Sequence, residues 1–128
     1  MSTVTLTPDT IDDAIGSEGI TLIDWWASWC GPCRQFAPVY EAASERHPDI
    51  TFAKISTEVE PQLAAAAQVM ALPTLMAFRD GVLVYSRAGA LPQAGLEQLI
   101  SVVRGLDMDD VQRQAAEKRQ GADQEQQA

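Results

Sequence analysis

Cys30 and Cys33, with Gly31-Pro32 between them, stand three residues after the run Ile20-Thr21-Leu22-Ile23-Asp24-Trp25-Trp26. No other stretch constrains the fold as much. A run of that length and apolar content reads as a central strand. Behind the cysteines, Phe36, Val39, Tyr40 and Ala43 fall at i, i+3, i+4 and i+7, the spacing of one buried helix face. The thiols therefore lie where a buried strand hands over to a long helix. Two cysteines and the single histidine are too few for a four-ligand structural zinc site in one chain, so no metal is expected. Arg34 stands where a c-type haem motif needs histidine. A disulfide across so short a loop adds little as a staple and is rare in the cytosol. What remains is a dithiol meant to open and close.

The rest of the chain supplies layers around this junction. Residues 3–6 read as a short edge strand. Thr7-Pro8 predicts a helix start, with Thr as N-cap and Pro at the first helical position, running to Gly16 with Ile11 and Ile15 buried. Pro38 predicts a kink in the long helix, and His47-Pro48-Asp49 ends it. Residues 50–55 read as the next strand. Pro61 opens an alanine-rich helix with Leu63, Ala67 and Met70 on one face. Residues 74–79 and 82–87 form two strands joined at Asp80-Gly81, a strong hairpin signal. A last helix from near Pro92 buries Leu96, Leu99, Ile100 and Val103, and Gly105 caps it.

The order β-α-β-α-β-α-β-β-α predicts an α/β protein, a central mixed sheet flanked by helices on both faces. From Asp107 onward Gln, Glu, Asp and Ala dominate. The expected division is a domain over 1–106 and an acidic, Gln-rich extension over 107–128. A weak polar helix is predicted over 108–119, with the last eight residues disordered.

A length of 128 residues, 46% of them hydrophobic, suits one globular domain. The net charge is −9, from 9 basic and 18 acidic residues, and the extension alone holds 6 acids and 3 bases. With both parts acidic there is no basic stripe for phosphates, which argues against nucleic acid and anionic membranes as partners. No apolar run approaches a membrane span, and the first thirty residues lack a basic and then apolar leader, so a cytoplasmic location is expected.

With motif and element order in place, the chain resembles bacterial-type thioredoxins over about residues 3–104. The resemblance rests on Asp24…Trp26-Ala-Ser-Trp29-Cys30-Gly-Pro-Cys33-Arg34 with Pro38, on Lys54, on Leu72-Pro73-Thr74, on Asp80-Gly81 and on Gly89-Ala90. Trp25 departs from the family's usual Phe or Tyr, Arg34 from its commoner Lys, and Leu72 from its frequent Ile. Ser56 and Thr57 make the strand after Lys54 more polar than usual. Leu72 and Met70 bear on client preference.

The resemblance implies the thioredoxin fold and a protein-disulfide reductase and electron donor that maintains cell redox homeostasis. Its centre is a redox disulfide, Cys30–Cys33. Cys30, at the helix N-terminus with its sulfur exposed, is the implied nucleophile, because the dipole and free amides favour its thiolate. Cys33 is the implied resolving thiol. Asp24 shares a strand face with Leu22 and Trp26; burial raises its pKa and makes it a candidate for proton transfer with Cys33. Lys54 is the candidate modulator of Asp24. Pro73 is implied to be cis beside the dithiol. Trp29, Gly31, Pro32, Leu72, Gly89 and Ala90 would then form a shallow apolar groove for an extended client peptide, while Trp25 and Trp26 pack in the core. No cofactor is bound in the family pattern. Electrons come from NADPH through a flavin-containing thioredoxin reductase, and the partners are that reductase and disulfide-bearing clients of a monomeric protein. Gly-Pro between the thiols, with no His, favours reduction over a dithiol oxidase or isomerase. A binding or chaperone subunit on the same fold is the other alternative.

Overall fold

The computed structural model describes residues 2–127, with side chains to Lys118. Five strands and five helices follow in order: β1 (Thr3–Thr5), α1 (Ile11–Gly16), β2 (Ile20–Trp26), α2 (Gly31–Arg46), β3 (Thr51–Ser56), α3 (Pro61–Ala66), β4 (Thr74–Arg79), β5 (Val82–Ala88), α4 (Gln93–Arg104) and α5 (Met108–Gln127). They form one sheet in the order β1-β3-β2-β4-β5. β3 runs parallel to β1 and β2, whereas β4 is antiparallel to both β2 and β5. This is the expected mixed sheet covered on two faces.

β2 lies in the middle, and six of its seven residues are buried. Its alternation sorts the core into two layers. Ile20 and Leu22 face α2 and α4, packing with Phe36, Tyr40, Leu96 and Ile100. Ile23 and Trp25 face the other way, toward α1 and α3, with Ile55, Ala64 and Met76. Tyr40 is fully buried, packs edge-on against Phe52, and donates its hydroxyl to the Ala53 carbonyl at 2.8 Å. Tyr40→Phe is expected to destabilise the fold by about 1 kcal/mol, the usual worth of such a bond. Urea unfolding checks this as a lower midpoint with an unchanged slope.

Several local expectations change. The chain does turn at Pro8, since the Thr7 carbonyl accepts from the Thr10 and Ile11 amides, but the regular helix begins only at Ile11. α2 is a single helix with Pro38, the expected site of a kink, inside it. α3 stops at Ala66 because Gln68 adopts a left-handed φ of 59° and Val69 turns back to the Ala64 carbonyl. Met70 is thereby thrown outward and stands 92% exposed, not on a buried face. Asp80 and Gly81 both have positive φ, as a tight hairpin turn with the strands' twist requires. Gly105 caps α4 with φ at −87°, outside the left-handed region.

The largest difference is in the extension. α5 spans Met108–Gln127, well past the predicted 108–119, and covers most of the stretch expected to be disordered; Ala128 lies outside the described residues. Gln, Ala and Glu have helix propensities high enough to carry a helix despite few apolar residues. The turn that leads into it is anchored. Arg79 directs Nη1 to the carbonyls of Val103, Arg104 and Leu106 at 2.7, 3.0 and 3.0 Å, and Leu106 packs against the core. Beyond it, Val111 and Ala115 of α5 face Val82 and Val84 of β5 across a cavity of about 280 Å³.

Candidate active site

The site forms at the end of β2 where α2 begins. Cys30 is the N-cap of α2, in extended backbone, and Pro32 sits in the first turn, where its missing amide is no loss. Cys30 and Cys33 are joined in a disulfide with Cα atoms 5.2 Å apart. The Cys33 amide donates to Cys30 Sγ at 3.1 Å, so a sulfur does the work of a capping oxygen. The same amides and helix dipole favour negative charge on that sulfur when the bridge is open.

One expectation fails here. Cys30 is only 4% exposed, as buried as Cys33, because Ala27, Trp26 and Leu72 pack around the pair. In the disulfide form the two thiols differ by position on the helix and not by exposure.

Asp24 lies in register with Lys54 on one side and Leu75 on the other. It is 1% exposed, and neither carboxylate oxygen has a hydrogen-bond partner among the described residues. Burial pushes its pKa up from 3.8 to about 6, against the smaller pull of the Lys54 ammonium. Its charge also helps to hold the Tyr40 phenol well above its ordinary value, behind the larger effect of that ring's own burial. The Lys54 ammonium rests 5.2 Å from the centre of the Trp26 ring, a cation–π contact. A small, largely apolar cavity of about 100 Å³ lies among Trp26, Cys33, Arg34, Ala37 and Lys54, beside the inner cysteine.

The Leu72-Pro73 bond is cis, and Leu72 packs on the cysteines. Trp29 is 70% exposed. Together Trp29 and Leu72 border a groove of about 210 Å³ whose other walls are Thr57, Ala64, Val69, Met70 and Ala71. Gly31 and Pro32 form the helix turn between the thiols. Gly89 and Ala90 are exposed and do not line that groove; Gly89 donates instead to the Pro73 carbonyl at 2.8 Å, tying β5 to the cis segment.

Sequence reasoning missed Glu58. Its carboxylate accepts from both the amide and the hydroxyl of Ser28, at 2.6 and 2.7 Å, and these bonds hold its pKa low. Arg34 donates to the Ser28 carbonyl at 3.0 Å. The loop before Cys30 is thus pinned from two sides. The only hint was Glu58's place just past the strand that carries Lys54.

A disulfide at a helix start, beside a cis proline on this sheet order, narrows the choice of family, and comparison with known proteins decides it. The thioredoxin profile matches residues 2–102. The chain belongs to the thioredoxin family. A putative thioredoxin 2 of Streptomyces coelicolor is 48% identical over 117 residues, covering 91% of this chain and 87% of the relative. A thioredoxin of Mycobacterium tuberculosis is 42% identical over 97 residues, covering 74% and 84%. Among solved structures, the oxidised mitochondrial thioredoxin 3 of Saccharomyces cerevisiae superposes with a TM-score of 0.71 at 33% identity, covering 78% of this chain and 94% of that one. The Streptomyces match is too long to end with the profile and reaches into α5. As a thioredoxin, the chain is a protein-disulfide reductase with a redox-active Cys30–Cys33 pair. The family has no cofactor of its own, is reduced by a thioredoxin reductase and passes electrons to disulfide-bearing clients. No described helix is long and apolar enough to cross a membrane.

Proposed function

We propose that this thioredoxin reduces client disulfides by a two-step exchange in which Cys30 attacks and Cys33 resolves. The Cys30 thiolate attacks one sulfur of the client disulfide. A mixed disulfide forms and the other client sulfur leaves as a thiolate. Cys33, as thiolate, then attacks Cys30 Sγ, which releases the second client sulfur and closes the Cys30–Cys33 bridge. Two electrons have passed to the client. The observation that carries the assignment is the cap itself, with Cys30 Sγ accepting the first-turn amide of Cys33. A sulfur in that place is the better nucleophile and the better leaving group of the two.

Asp24 takes the Cys33 proton, directly or through water, and Lys54 tunes the carboxylate from the adjoining strand. Burial of Asp24 without hydrogen-bond partners supports this role. Pro73 closes the site beside the dithiol. Trp29, Gly31, Pro32, Leu72, Gly89 and Ala90 offer the surface on which an extended client strand lies. Reducing equivalents come from NADPH through a flavin-containing thioredoxin reductase, and the protein works as a cytoplasmic monomer. The redox domain spans 1–106, and the extension over 107–128 is an appendage to it.

Coupled reduction of a protein disulfide with NADPH and a thioredoxin reductase tests the reading. NADPH consumption that depends on both the chain and the client disulfide is the expected result. A chain that the reductase reduces but that leaves every client disulfide intact would instead favour a binding role.

A further inference from the structure

Residues 27–30 join β2 to α2; they carry the exposed Trp29 ring and deliver Cys30 to its capping place. The Cys30 amide donates to the Ala27 carbonyl at 3.2 Å, so Ala27-Ser28-Trp29-Cys30 is one tight turn. That bond leaves the amide and carbonyl of Ser28, inside the turn, to find partners elsewhere. Both do. The Ser28 amide and hydroxyl donate to the same Glu58 oxygen at 2.6 and 2.7 Å, and the Ser28 carbonyl accepts from Arg34 at 3.0 Å.

The support under Glu58 comes from Ser56 and Thr57, the two residues that make this strand more polar than is usual in the family. Thr57 donates its amide to the Trp26 carbonyl at 2.9 Å and its hydroxyl to the same oxygen at 3.3 Å. The chain after β3 therefore keeps following the chain after β2. The Ser56 carbonyl accepts from the Glu60 amide at 2.9 Å, and Ser56 Oγ accepts from the Val59 amide at 3.3 Å. Glu58 thus stands on a braced turn. Thr57 also lines the groove that Trp29 borders, so one short segment shapes the groove and holds the turn beside it.

We propose that Glu58 is a positioning residue for client binding, which fixes the Ala27–Cys30 turn so that Trp29 meets a client in one orientation. This rests on the reductase reading of the same site. Without the carboxylate the turn keeps only its own closing bond and Arg34, and each client must order it on docking. Ordering of that kind weakens binding. Glu58 acts through Ser28 and not on the sulfurs, so the exchange step itself is spared.

The test uses the full chain and two readouts. Relaxation of the Trp29 indole N–H, with no client present, reports the order of the ring. Glu58→Ala should make that ring more mobile, and Glu58→Gln, whose amide oxygen can accept both bonds, should restore it. The second readout is steady-state reduction of insulin with NADPH and thioredoxin reductase. Glu58→Ala should raise KM for insulin about three- to tenfold and leave kcat within about twofold. Glu58→Gln should recover most of that loss. Ser28→Ala should raise KM less, because the amide bond stays. Added to Glu58→Ala it should raise KM no further, because the hydroxyl has already lost its acceptor. An unchanged Trp29 ring in Glu58→Ala overturns the proposal. So does an unchanged KM, a fall in kcat instead, a failure of Glu58→Gln to rescue, or additive effects in the double variant. If the parent chain reduces no insulin, the reductase reading falls, and the Trp29 measurement still judges whether Glu58 holds the turn.

Discussion

Cys30→Ser is expected to lower protein-disulfide reduction in the coupled assay by more than about 10³-fold, because it removes the attacking group itself. A serine hydroxyl is not ionised near neutral pH, and the helix N-terminus cannot lower its pKa far enough to change that. Cys33→Ser should fail differently. Cys30 still attacks, but nothing resolves the product, so one equivalent of client stays attached. Non-reducing electrophoresis should show that adduct, and dithiothreitol should release it. The contrast is sharp because the two thiols are equally buried in the disulfide form, so exposure cannot account for it. Only the capping position separates them. A stable adduct on Cys30→Ser, with none on Cys33→Ser, would reverse the assignment.

Asp24→Asn is expected to stabilise the protein by about 2–3 kcal/mol at pH 7 and above. Burial raises the folded-state pKa to about 6 from 3.8. Between these values the folded chain holds a proton that the unfolded chain has lost, so stability falls as pH rises from about 4 to about 6. Above that range the penalty is complete and constant; below about pH 4 both states are protonated and it vanishes. Asparagine never ionises and escapes it throughout. Denaturant unfolding of both proteins at pH 4 and pH 7.5 checks this, and a gain of equal size at both pH values would refute the assignment of cause. The same substitution should slow turnover by about tenfold. That is less than the 10²–10⁴ usual for a positioned base, since solvent can also take the Cys33 proton. The parent rate should drop as pH falls through about 6, and the variant should lack that limb. Stability and activity thus move in opposite directions on one side chain.

How much of this was legible in sequence depended on whether the cause was local. β2 was readable because a strand buried on both faces must be apolar nearly throughout, and its bounds agree with Ile20–Trp26. Asp24 stood out for the same reason, as a charge inside such a strand. The cis bond at Pro73 came from family resemblance alone, since nothing in the dipeptide distinguishes it. Met70 was misplaced because helical spacing continues past Ala66, while the left-handed turn at Gln68 leaves no mark in composition. Burial of Cys30 depends on Leu72, some forty residues away, and Glu58 is one exposed acid among 18 until the fold brings it to Ser28. Long-range contacts of this sort have no periodicity to read.

The Arg79 clamp sets a practical limit on how this protein can be shortened or fused. One guanidinium nitrogen serves three carbonyls, of which the last belongs to Leu106. A chain cut at residue 102, where the family profile stops, would lose all three acceptors and the Leu106 side chain from the core. The smallest version that keeps the clamp ends after Leu106, and a linker to any added domain belongs beyond that residue.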